Sequence, residues 1–122
     1  MFKVGVRRKF SAAHSLREYD GNCERLHGHN WMVEAVLKGN NVDHLGMLVD
    51  FRVVKKGLDE ILDSLDHRYL NELDIFKDGN PSSENIARYI YSKLTDKLEQ
   101  NVCLVEVRVW ESDDSWASYS EE

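Results

Sequence analysis

His14, His27 and His29 are three of the chain's 5 histidines, and their spacing is compatible with a metal site. His27 and His29 flank Gly28; in an extended segment their side chains project to one side, roughly 6.6 Å apart along the chain. A neighbouring strand carrying His14 would bring a third imidazole to them. Three neutral nitrogen ligands suit zinc, and three rather than four leave a coordination position open for a reacting oxygen, whose pKa the metal lowers. A metal-free surface turn is the competing reading of His-Gly-His. The parity of His14 with the apolar face of its own strand weighs against that reading.

Other residues carry less specific signals. Cys23 stands shortly before His27. Its thiol could be a fourth zinc ligand, a structural group, or an acid/base or nucleophile beside the metal, because a nearby cation depresses a thiol's pKa and makes thiolate available. Spacing alone leaves these open. Asp66-His67 follows a helix and reads either as a helix-end histidine favoured by the macrodipole or as a proton relay. Glu111 continues the apolar face of a strand, where a buried carboxylate needs a partner. Either burial ends at Trp110 and Glu111 is solvated, or a planar ligand with two adjacent N–H donors, such as the guanidine-like edge of a pterin, makes a bidentate charge-assisted pair with it. Glu84 stands in the first turn of a helix, where an acid favours the dipole whatever its function.

The elements that must position these groups follow from hydrophobic period. Phe2, Val4, Val6, Phe10, Ala12 and His14 share one parity, the signature of a half-buried strand, and Arg8 alone breaks it. A second strand runs from about His29 to Lys38, with Trp31, Val33, Ala35 and Leu37 on one face. Asp50 caps an amphipathic helix striped by Phe51, Val54, Leu58, Ile61, Leu62 and Leu65. After the Gly79-Asn80-Pro81 turn, Ser82 or Ser83 caps a second helix through Ile86, Ala87, Ile90, Tyr91, Leu94 and Leu98. Cys103, Val105, Val107, Val109 and Glu111 share a face of a third strand, which makes Cys103 a core residue. Trp116 to Tyr119 forms a short fourth strand. The order ββααββ predicts an α+β domain over residues 1–122: a four-stranded, mostly antiparallel sheet with both helices on one face. Its exposed edges invite closure into a larger barrel with other subunits.

Composition narrows the function classes. With 122 residues, 42% apolar, and 16 Lys+Arg against 22 Asp+Glu, the net charge is −6, which disfavours a non-specific grip on nucleic acid. No apolar run approaches the roughly 18 residues that cross a bilayer, and Met1-Phe2-Lys3-Val4 lacks a signal peptide's apolar stretch. The expectation is a cytoplasmic protein without a membrane partner. The 2 cysteines are too few for a disulfide framework.

Six ordered motifs resemble the 6-pyruvoyltetrahydropterin synthase / 6-carboxytetrahydropterin synthase family over nearly the whole chain. They are Phe10-Ser11-Ala12-Ala13-His14, Cys23 through His27-Gly28-His29, Leu48-Val49-Asp50-Phe51, Leu65-Asp66-His67-Arg68-Tyr69-Leu70-Asn71, Asn80-Pro81-Ser82-Ser83-Glu84-Asn85 and Val107-Arg108-Val109-Trp110-Glu111-Ser112. The short spacer between Cys23 and His27 resembles the bacterial 6-carboxy branch and so points to the queuosine (7-deazaguanine) pathway. The resemblance implies a T-fold (tunnelling fold) homo-oligomer, with trimers closing a barrel and stacking into a hexamer. It implies Zn2+ on His14, His27 and His29, Cys23 as the proton-abstracting base, and Asp66 and His67 completing its relay. Glu111 would anchor the pterin, with Ser83 and Glu84 helping to hold the ring. The implied substrate is 7,8-dihydroneopterin triphosphate, and the implied products are 6-carboxy-5,6,7,8-tetrahydropterin, acetaldehyde and triphosphate. A pyruvoyl-forming synthase and a non-catalytic zinc- or pterin-binding protein are the alternatives. Two departures stand out. Ser15 occupies a position that is basic in many relatives, which shifts the expected phosphate anchor to Arg8, Arg17 or Arg25, and Trp110 replaces a commoner tyrosine.

Overall fold

The computed structural model describes residues 1–18 and 25–121. Strand β1, Phe2–His14, and strand β2, His27–Gly39, pair antiparallel over their full lengths, from Phe2 opposite Gly39 to His14 opposite His27. Because side chains alternate across a strand, this register sets Val6, Phe10 and Ala12 beside Trp31, Val33, Ala35 and Leu37 on one buried face. The Phe10 and Trp31 rings stack there, with centroids 5.9 Å apart.

Helix α1, Phe51–Leu62, starts where the Asp50 carboxylate accepts the Arg52 N–H at 2.9 Å, and it buries Val54, Leu58, Ile61 and Leu62. Helix α2, Ser83–Thr95, is capped by Ser82 rather than Ser83: the Ser82 hydroxyl accepts the Asn85 N–H at 3.2 Å. Its buried stripe is Ile86, Ala87, Ile90, Tyr91 and Leu94. The α1 stripe packs against β1 and the α2 stripe against β4, Cys103–Ser112, and β5, Ser115–Tyr119, and both helices feed one core. Truncating a fully buried member such as Leu58 to alanine costs about 2–5 kcal/mol.

Two expectations need correction. Among the described residues the sheet has five strands, in the order β3-β1-β2-β4-β5, because Arg68–Tyr69 forms a two-residue strand β3 parallel to Ala12-Ala13 of β1. Two residues are too few to show a period. The second correction concerns β4, whose pairing with β2 shifts between Val36 and Leu37, so that Glu106 faces Val36 but Leu104 faces Leu37. The extra residue reverses the parity at the start of the strand. Leu104 is therefore buried and Cys103 exposed, while Val107 and Val109 keep their inward places.

Candidate metal centre and active site

The buried face of the sheet ends in polar groups. His14 follows Ala12 on the inward row of β1 and sits directly across from His27, while His29 lies opposite Ala12. On β4, Glu111 follows Val107 and Val109. The ligand atoms of His14, His27, His29 and Glu111 all lie within 4.8 Å of one another. Ring centroids are 4.5 Å apart for His14 and His27, 4.6 Å for His27 and His29, and 5.2 Å for His14 and His29. Trp31 forms the floor, edge-on to His14 at 4.8 Å and to His29 at 5.2 Å, with its indole N–H donated to the Ala12 carbonyl.

Two of the rings are locked by main-chain carbonyls. The Pro81 carbonyl lies 2.7 Å from His14 Nδ1, and the Arg25 carbonyl lies 2.8 Å from His27 Nδ1. A carbonyl only accepts, so each Nδ1 carries the proton and each Nε2 presents a lone pair. Those two Nε2 atoms face each other at 3.0 Å. Two lone pairs at that distance repel unless a cation lies between them. Nitrogens on a tetrahedral zinc stand about 3.3 Å apart, so the donor set fits a divalent ion, and the carbonyls supply the outer-shell support that metal-bound histidines use. The carboxylate of Glu111 approaches His29 Nε2 at 3.4 Å and His14 Nε2 at 3.8 Å while staying 37% exposed.

The second group lies on the other side of β1. Asp66 accepts the Ser11 N–H at 2.9 Å through Oδ1, and its Oδ2 lies 3.0 Å from His67 Nδ1. The Ser11 N–H, followed by His67, holds the Asp66 carboxyl below the usual aspartate range. His67 has left the helix altogether: α1 ends at Leu62, and His67 adopts φ 57°. Its N–H donates to the Ser11 carbonyl at 2.6 Å, which fixes this left-handed residue against β1. His67 and His29 are both among the residues that line an open cavity of about 530 Å³, with Ser11, Asn30, Arg68 and Tyr69.

Other expected residues fall elsewhere. Cys23 lies outside the described residues. Ser83 is buried at the start of α2, two residues past the carbonyl that holds His14, while Glu84 is exposed on the first turn. Two of the three arginines named as phosphate anchors are engaged. Arg8 makes a bidentate pair with Asp59 of α1 at 2.7 and 2.8 Å, and Arg17 donates to the carbonyls of Phe76, Gly79 and Asn71; Arg25 is exposed. The supporting groups missed in the sequence are Trp31 and the Pro81 and Arg25 carbonyls. Only the Asn80-Pro81 turn, which puts a carbonyl just ahead of a helix cap, offered a signal for them.

Fold and cluster together describe an α+β domain able to hold a metal ion at the end of its core. The chain belongs to the 6-pyruvoyl tetrahydropterin synthase family, whose sequence model matches residues 3–122. An Archaeoglobus fulgidus relative, provisionally named 6-carboxy-5,6,7,8-tetrahydropterin synthase, is 38% identical over 115 residues, covering 93% of this chain and 91% of its own. A Synechocystis relative that bears the same name outright is 37% identical over 103 residues, covering 80% and 78%. A Pyrococcus furiosus relative named dihydroneopterin monophosphate aldolase is 34% identical over 112 residues, covering 92% and 91%. Among solved structures, Caenorhabditis elegans 6-pyruvoyl tetrahydropterin synthase superposes with a TM-score of 0.82 at 27% identity, covering 100% of this chain and 98% of that one.

Proposed function

We propose that this chain is a zinc-dependent 6-carboxytetrahydropterin synthase, a carbon–oxygen lyase. It converts 7,8-dihydroneopterin triphosphate and water to 6-carboxy-5,6,7,8-tetrahydropterin, acetaldehyde and triphosphate, toward queuosine. It works in the cytoplasm as a hexamer of stacked trimers. The observation that carries this reading is the pair of carbonyl-locked imidazoles whose Nε2 lone pairs converge beside His29. Seven relatives among those most similar in sequence bear the 6-carboxy name, with or without a provisional mark.

His14, His27 and His29 would hold Zn2+, and the chemistry it would supply there is polarisation of substrate hydroxyls, lowering their pKa. Glu111 takes the N–H edge of the pterin. A closed sphere of three histidines and a carboxylate would leave no place for substrate, and the exposed part of the carboxylate can meet a ligand. Asp66 accepts the His67 Nδ1–H and so turns the Nε2 lone pair of His67 outward to take a proton. Cys23 abstracts the substrate proton, and Ser83 and Glu84 help to hold the ring; these roles rest on the family motifs. Holding the substrate in place among these residues would remove several kcal/mol of barrier by sparing the entropy of assembling the parts.

The test is to incubate the protein with dihydroneopterin triphosphate, with and without chelator, and identify what forms. Acetaldehyde with 6-carboxytetrahydropterin, both lost on chelation, is the expected result. A 6-pyruvoyl product without acetaldehyde assigns the pyruvoyl-forming reaction, and pterin bound without turnover makes the chain a binding protein. Cys23→Ala should keep about one zinc per subunit, since three histidines suffice, while turnover collapses. Zinc lost together with activity would make Cys23 a ligand.

A further inference from the structure

The segment that follows His14 is held by side chains that imitate a strand. Asn71 accepts the Ser15 N–H at 2.9 Å and donates to the Ser15 carbonyl at 2.8 Å. Asn80 repeats the pattern on Arg17, accepting its N–H at 2.7 Å and donating to its carbonyl at 3.1 Å. The guanidinium of Arg17 then crosses to the loop that carries both asparagines. Nη1 donates to the Phe76 carbonyl at 2.9 Å and the Gly79 carbonyl at 3.1 Å, and Nη2 donates to the Asn71 carbonyl at 2.9 Å. Asn85, in the first turn of α2, donates to the Asn80 carbonyl at 2.8 Å.

All of this converges on Pro81. Proline has no N–H, so its carbonyl is its one main-chain polar group, and that carbonyl holds His14 Nδ1. Pro81 therefore contributes no donor of its own to its placement. It is placed by Asn80 on one side, through Arg17, and by the Ser82 cap on the other. We infer that Arg17, acting through Asn80, is a positioning residue for the metal centre: it holds the Pro81 carbonyl where it fixes the tautomer and tilt of His14. The guanidinium suits the task because its planar fork reaches several carbonyls at once, which a lysine ammonium cannot do from one position. This places Arg17 in the support of the metal and removes it from the candidates for phosphate. The inference rests on the metal reading above only for its zinc readout.

The experiment compares the parent protein with Arg17→Ala, Arg17→Lys, Asn80→Ala and, as a control, Arg8→Gln, which breaks the ion pair to Asp59. Zinc affinity is measured on folded protein by competition with a chromogenic chelator. The downfield His14 Nδ1–H resonance is followed by proton NMR with and without metal. Arg17→Ala is expected to weaken zinc binding about 10-fold or more, in the range that loss of an outer-shell partner produces, and to abolish the slow exchange of that proton. Asn80→Ala should act in the same direction, Arg17→Lys should recover only part, and Arg8→Gln should lower thermal stability while leaving both readouts at the parent's values. Folded Arg17→Ala with parental zinc affinity and an intact resonance overturns the inference. If Arg17→Ala does not fold, Asn80→Ala decides on the same two readouts. A parent protein that takes up no zinc refutes the metal reading instead, and the proton resonance still decides the role of Arg17.

Discussion

His14 and His67 present opposite solutions to holding an imidazole. The His14 side chain is 1% exposed at the end of a strand, walled by Trp31 and tied to a neutral carbonyl. The His67 side chain is 81% exposed, on a residue with a left-handed backbone, and is tied to a carboxylate. A metal ligand must be oriented before the ion arrives, so it belongs in packed surroundings with a fixed tautomer. A proton carrier must exchange with substrate and solvent, so it needs exposure and a partner that fixes its tautomer. The contrast suits two residues of the same type to the different tasks proposed for them.

The largest expected effect comes from breaking the buried side. His14→Ala should lose zinc and activity together, and in the metal-free protein it should cost about 1–3 kcal/mol by leaving the Pro81 carbonyl without its donor. Metal analysis after gel filtration and a thermal melt without metal measure the two parts, and zinc retained at the parental level would refute the assignment. His67→Gln should leave zinc untouched while lowering kcat by roughly 10²-fold, the lower range for a proton-transfer group. A parental kcat and pH–rate profile would remove His67 from the reaction. Glu111→Gln is expected to weaken substrate affinity by about 10-fold, since hydrogen bonds to a charged group contribute roughly 1.5–3 kcal/mol, with zinc content unchanged. Zinc loss in that variant would show the carboxylate to be a ligand.

The smallest effect is on acid stability. Because Asp66 titrates below the usual aspartate range in the folded protein, its contribution is complete above about pH 4 and fades as pH falls through the depressed value. Asp66→Asn should flatten that acid limb in pH-dependent melts. An unchanged limb would mean that Ser11 and His67 do not act on this carboxyl.

Much of the centre was legible because a two-residue period is strict. Once Phe10, Ala12 and His14 share a face and Trp31, Val33 and Ala35 share another, pairing those faces leaves His27 and His29 only one side on which to lie. Glu111 followed from Val107 and Val109 by the same reasoning. The start of β4 was misread because a register shift has no local signature, and Leu104 and Cys103 are equally at home in a strand. The two-residue β3 is specified by contact with β1 rather than by its own side chains. The asparagine clamps are tertiary: an amide that mimics a strand partner looks in sequence like any loop asparagine. Arg8, which breaks the parity of β1, is a candidate phosphate anchor in the sequence because Asp59, its partner, lies on a distant helix.

The inward row of the sheet passes from Phe10 and Trp31 to His14, His27, His29 and Glu111 without a change of backbone pattern. Chemistry here occupies what would otherwise be one more layer of oil. Apolar side chains of similar volume there would continue that row, at a cost of about 1–3 kcal/mol where the Pro81 carbonyl loses its imidazole donor. A descendant could therefore retire from catalysis by a handful of substitutions and still keep its shape.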